Sequence, residues 1–174
     1  ITLLVATGCH RGTTKEELAA KLGSEIVERE TIKVHDAFNA EENVEIGVLP
    51  SGAPLVIDRA AVETDLLVAE GFIEPHFFAG FSGGRKSVLP GVCAATTVYG
   101  NHCGAFIADE HSRTGVLMGN PIHKDMIAAA ELAQLAYIVN VVIDEDKKTV
   151  AAFAGNYLTA HRKGCDFLLD YCKV

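Results

Sequence analysis

The sequence predicts an α/β fold: a Rossmann-like open, mainly parallel sheet flanked by helices, with a β-hairpin near the C-terminus. Three observations carry that prediction. Short apolar runs recur between segments that bear helix caps, as strands alternating with helices do. The first run, Thr2-Leu3-Leu4-Val5-Ala6, stops at Thr7-Gly8 and leads through a loop into a capped helix, the first half of an α/β unit. The richest loop of the chain follows a later apolar run, at the strand end where open α/β sheets bind ligands.

Taken in order, residues 2–6 read as a buried strand. Thr13 and Thr14 then offer a cap, Glu16 and Glu17 occupy a first helical turn, and Gly23 stops the helix. Residues 32–35 and 44–49 alternate apolar with polar and predict two strands. Beyond the Pro50-Ser51-Gly52 and Pro54 punctuation, Leu55-Val56-Ile57 is a buried strand and Asp58 caps a short helix through Val62. Leu66 to Ala69 is strand-like again. Ala94 to about Phe106 reads as a helix carrying His102, interrupted by Gly100 and Gly104. Asn120-Pro121 caps and opens a helix through Ile127, Leu132 and Leu135. Residues 137–143 and 149–153 flank a polar Asp144–Lys148 turn and predict the hairpin, and a last helix covers about 157–172.

Size and composition bound the function. At 174 residues the chain is one domain, large enough to bury about 70% of its unfolded surface. Its 49% hydrophobic and 22% charged residues are ordinary for a soluble enzyme. No apolar run reaches the ~20 residues of a membrane span, and no secretory leader is visible. A net charge of −8 without a basic stripe argues against nucleic acid. Five cysteines without a Cys-x-x-Cys predict neither a disulfide framework nor a zinc ribbon, and point to a reducing cytoplasm. Beginning at Ile1, directly before a strand, the chain is expected to be a segment of something longer.

Residues 74–91 concentrate the chemistry: Glu-Pro-His-Phe-Phe-Ala-Gly-Phe-Ser-Gly-Gly-Arg-Lys-Ser-Val-Leu-Pro-Gly. The Gly83-Gly84 pair, the cations Arg85 and Lys86 and the hydroxyl of Ser87 predict an anion cradle. This is not an ordinary P-loop, because Arg85 stands where that loop needs its second glycine. Nor does a Gly-x-Gly-x-x-Gly follow the first strand, which leads instead into Thr7-Gly8-Cys9-His10-Arg11-Gly12. Of seven histidines, His35, His111, His123 and His161 read as surface or hydrogen-bonded structural residues. His10 and His76 differ, since both lie in loops after predicted strands. If those strands are neighbours in one parallel sheet, the two imidazoles face one crevice and suit opposed acid–base roles. The competing readings are surface histidines, a surface lysine at Lys86 and a flexible turn at Gly83-Gly84.

His10 in Gly-Cys-His-Arg-Gly, His76 and Lys86 in the long run above, and His102 in Gly-Asn-His together resemble the nickel-dependent lactate racemase family. The likeness spans roughly residues 1–160. It implies a nickel-pincer nucleotide joined covalently to Lys86, with Gly83, Gly84, Arg85 and Ser87 around it and His102 as nickel ligand. It implies that His10 and His76 trade the substrate's hydroxyl proton while hydride passes from C2 of a 2-hydroxy acid to the cofactor. It further implies dedicated cofactor-maturation enzymes as partners, and a second domain beyond the cofactor-binding unit at 1–174. Cys9 departs from the hydroxyl or small residue expected before the histidine. The alternative is a non-catalytic module of the same fold that binds a phosphate or nucleotide ligand. A zinc hydrolase is a weaker third reading, because paired-histidine helix spacing is missing.

Overall fold

The computed structural model describes residues 1–172. Strand β1 (Thr2–Val5) leads through the His10 loop to helix α1 (Lys15–Leu22). Thr14 caps α1 in a reciprocal box with Glu17, and Gly23 ends it. A second short helix, α2 (Ser24–Arg29), follows without a side-chain cap, so no capping signal announces it. Strand β2 (Thr31–Val34) returns to pair in parallel with β1.

Strands β3 (Asn43–Val48) and β4 (Pro54–Asp58) form an antiparallel hairpin. The turn at Ser51-Gly52 reverses the chain, with Gly52 at φ +87°. Asp58 then caps α3 (Arg59–Val62) by accepting from the Ala60 amide. Strand β5 (Leu67–Phe72) carries the long loop, which contains the two-residue strands β6 (Pro75–His76) and β7 (Gly80–Phe81) and a 3-10 turn at Gly84–Ser87. Helices α4 (Ala95–Asn101), α5 (Gly104–Ile107) and α6 (Pro121–Leu132) come next. Strands β8 (Leu135–Ile143) and β9 (Thr149–Gly155) make the C-terminal hairpin, and α7 (Tyr157–Tyr171) closes the chain.

The α/β character holds, but the sheet differs from expectation. Among the described residues the strands divide into four small sheets: β1-β2, β3-β4, β5-β8-β9 and β6-β7. Only β1-β2 and β5-β8 are parallel. A single open, mainly parallel sheet does not form: β3 pairs only with β4, across a short turn, and β8, which does pair in parallel with β5, takes antiparallel β9 as its other neighbour. Two boundaries also move. The helix expected over 94–106 breaks at His102-Cys103, and the one expected to reach Leu135 stops at Leu132, so that Leu135 opens β8. Strand β1 is half-buried rather than buried.

The main core gathers Leu55 and Ile57 of β4, Leu89 after the 3-10 turn, Ile122 and Met126 of α6, and Ile138 of β8. A second cluster packs Ile73, Phe81, Val142, Cys165 and Leu168 beneath the long loop. The loop therefore has apolar packing on its underside. Among the described residues no helix is long and apolar enough to cross a membrane.

Candidate functional site

The long loop is a folded knot, not a flexible connection. Pro75 pairs with Phe81 and His76 with Gly80, so Phe77 and Phe78 form the tip of a tiny hairpin. At that tip the His76 ring stacks on Phe77, with centroids 4.8 Å apart, and meets Phe78 edge-on at 4.6 Å. Phe78 in turn meets His102 edge-on at 4.9 Å, and so stands between the two imidazoles as an apolar spacer. The Ala79 amide donates to His76 Nδ1 at 3.2 Å. A ring nitrogen that accepts carries no proton, so the neutral His76 keeps its proton on Nε2.

His102 caps the C-terminal end of α4. Its Nδ1 is buried and has no hydrogen-bond partner. Buried polar atoms are nearly always paired, and an orphan is a mark of a strained or functional position. Burial first, then the Lys86 charge, holds the His102 pKa down to about 4. His76 is lowered to about 4 by burial and by Lys86, Arg85 and His102 in turn. Lys86, half-buried, is lowered to about 8 by burial and then by Arg85, against a smaller opposing pull from Glu74. The mutual influence of these groups places Lys86, His76 and His102 in one electrostatic neighbourhood, where both imidazoles are neutral at pH 7 and the amine is partly so.

Glycines 83 and 84 face inward. A Cβ on Gly83 would lie 2.8 Å from Asn140 Oδ1 and 2.9 Å from the Phe72 carbonyl, and one on Gly84 would lie 2.8 Å from the His161 ring. Both have positive φ, +74° and +55°. The Gly84 amide donates to Asn140 Oδ1 at 2.7 Å. The pair thus lets the loop close onto β5, β8 and α7. Arg85 is also turned inward, with 1% exposure, while Ser87 ends the 3-10 turn half-buried.

His10 stands apart. It is exposed, and it lines a cavity of about 470 Å³ with Cys9, Arg11, Thr13, Val34 and Asp36. Strands β1 and β5 belong to different sheets, so the expected route to a shared crevice, adjacent parallel strands, is not the one this fold uses. A backbone relay connects the two loops instead. The Gly91 amide donates to the Lys86 carbonyl at 3.1 Å, and the Gly8 amide donates to the Gly91 carbonyl at 2.9 Å. The fold thus gathers His76, Lys86 and His102 and ties the His10 loop, through Gly8, to the segment that follows Lys86.

Of the histidines read as structural, His35 contacts Asp58 Oδ2 and the Cys93 carbonyl, and His123 and His161 contact Arg85. Sequence reasoning missed Asn140 as the loop's anchor. Its signal was a lone amide inside the apolar run Ile138-Val139-Asn140-Val141-Val142. Among the described residues no three His, Cys, Asp or Glu side chains gather as a metal site.

The chain is 57% identical over all its 174 residues to lactate racemase of Thermoanaerobacterium thermosaccharolyticum, and 54% to lactate racemase of Lactiplantibacillus plantarum. It spans 41% of the length of each. The solved lactate racemase apoprotein of T. thermosaccharolyticum superposes with a TM-score of 0.95 at 59% identity, covering 96% of this chain and 40% of that one. A protein of Thermotoga maritima superposes at 0.82 with 27% identity, over 97% of this chain and 46% of its own. Residues 1–115 match the lactate racemase N-terminal domain model, and the chain belongs to that family.

Proposed function

We propose that this chain is the cofactor-binding unit, residues 1–174, of a two-domain racemase or epimerase of 2-hydroxy acids, with a nickel-pincer nucleotide held at Lys86. The observation that carries the reading is the buried, unpartnered Nδ1 of His102 beside a partly neutral Lys86. A neutral imidazole with a spare nitrogen fits a metal ligand, and an amine lowered to about 8 fits a group that must form a covalent link near pH 7. No protein cluster completes a metal site among the described residues, so a cofactor that brings most of its own ligands fits these donors.

When bound, the nucleotide supplies the centre that takes up and returns hydride. The chain's own residues then handle the proton and the fit. His76 presents Nε2–H to the substrate oxygen as a hydrogen-bond donor; to take the hydroxyl proton on Nε2 the ring must first carry its own proton on Nδ1, which gives up the Ala79 amide bond. Exposed His10 is the opposite proton acceptor on the tethered loop. Half-buried Phe78 packs edge-on against His76, and Phe77, itself exposed, covers one face of the His76 ring. Inversion requires a proton-handling group on each side of the flattened carbon, which is the purpose of two histidines on two loops.

The family's name supports lactate as a substrate class, and both curated relatives are enzymes, which disfavours the non-catalytic module. Five free cysteines fit a reducing cytoplasm. We expect the isolated 174 residues to be inactive and the partners to be a 2-hydroxy acid and the maturation enzymes. The test is the mass of the Lys86 peptide from the full-length protein made together with the maturation enzymes. A nucleotide-sized adduct with bound nickel is expected. An unmodified Lys86 in a folded, full-length protein overturns the reading.

A further inference from the structure

Arg85 is the largest fully buried side chain of the fold. Its Nη1 donates to the Phe81 carbonyl at 2.7 Å, and to those of Gly83 at 3.2 Å and Ser82 at 3.4 Å. Its Nη2 donates to the Ala79 carbonyl at 2.8 Å, and its Nε to His123 Nδ1 at 3.1 Å. Nη1 also lies 3.1 Å from His161 Nε2, itself 2.8 Å from the Ser82 carbonyl. One guanidinium thus ties four consecutive-turn carbonyls and two helices, α6 and α7, to a single point.

No carboxylate pairs with this cation among the described residues; only carbonyl dipoles and imidazoles surround it. Leaving a buried guanidinium without a counter-charge is costly, so stability alone does not account for it. The backbone supplies a second clue. Arg85 and Lys86 are neighbours on a 3-10 turn of three residues per turn, so successive side chains diverge by about 120°. Once Arg85 is locked inward, Lys86 is committed to the adjacent face, toward His76 and His102.

We propose that Arg85 is a positioning residue for Lys86, which fixes the 79–84 turn from beneath and keeps a permanent positive charge under the amine. This rests on the assignment of Lys86 as the reactive lysine, but it replaces the expected contact of Arg85 with a phosphate. The lowered pKa of Lys86, for which Arg85 is the second cause after burial, agrees with the geometry.

Competitive acetylation of the unmodified full-length protein tests it without turnover. The rate at Lys86 is measured against exposed Lys21 from pH 6 to 10, for the native protein, Arg85→Met and Arg85→Lys. Removing the charge in a folded Arg85→Met protein is expected to lower Lys86 reactivity at pH 7 about threefold and move its profile to higher pH. Arg85→Lys is expected to restore much of the profile, because the charge returns. If Arg85→Met does not fold, His161→Gln tests the clamp from the other side and is expected to slow Lys86 labelling while Lys21 stays unchanged. An unaltered Lys86 profile in either folded variant overturns the proposal. Adduct formation on native Lys86 is read separately by mass, so failure of the racemase reading leaves this result interpretable.

Discussion

The two histidine loops of this fold are built in opposite ways. The His76 loop is locked by Arg85, Asn140 and His161, and its imidazole lies against two phenylalanine rings. The His10 loop is open to solvent and is held by the capping box of α1, the Arg11–Glu17 pair on the surface and the Gly8–Gly91 amide bond. The difference teaches that one half of the site is complete in itself, while the other half is a mouth.

The largest test of this contrast is catalytic. On the proposed racemase reading, His76→Asn and His10→Asn in the full-length protein are each expected to lower racemisation by about 10²–10⁴-fold, the usual range for a lost acid–base group. The Lys86 adduct should survive both. His76→Asn should also lower the melting temperature and His10→Asn should not, since only His76 is packed. Equal stability losses would erase the distinction between the loops.

Stability of the backbone gives the next test. Gly84→Ala places a methyl against His161 at a positive φ, and is expected to cost about 2–4 kcal/mol in urea unfolding. Gly12→Ala, in the open loop, meets only Val34 Cγ1 at 3.6 Å and should stay within about 0.5 kcal/mol. A tolerated Gly84→Ala would mean that the locked loop has slack.

The pH dependence is smaller and its direction is fixed by burial. His76, His102 and His123 are lowered to about 4, and His161 to about 3, in each case mainly by desolvation. The unfolded chain therefore binds more protons than the folded one below about pH 6.5. Stability is full above that value and falls as pH drops toward 4. His161, 3% exposed, contributes at most about 1.4 kcal/mol per pH unit over this window. Urea midpoints at pH 7, 5.5 and 4.5 should decline, and His161→Gln should flatten the decline. A midpoint independent of pH would contradict neutral burial of these rings.

Much of this was legible in residues. The caps at Thr14, Asp58 and Asn120 and the turn at Asp144–Lys148 located their elements, because a cap is a local hydrogen-bond requirement written in one or two side chains. The sheet order was not legible, since a parallel pair such as β5-β8 joins strands more than sixty residues apart and no local signal marks which strands meet. The anion-cradle pattern was visible at Gly83–Ser87, but the direction of each side chain was not. Only the 3-10 geometry and the histidines of α6 and α7 turn Arg85 inward. His123 and His161 read as structural, and so they are, though what they support is the loop of the candidate site.

The locked turn also decides how this protein meets a protease. Arg85-Lys86 is a dibasic pair, the sequence that trypsin-like enzymes prefer in an extended strand. To be cut there, the chain must surrender the Arg85 side chain to the protease, and that side chain is held by six residues, four of the loop itself and one each on α6 and α7. Cleavage at the pair is therefore confined to molecules whose loop has opened. A dibasic site that looks open to trypsin on paper becomes a reporter of local unfolding, silent for as long as the loop is locked.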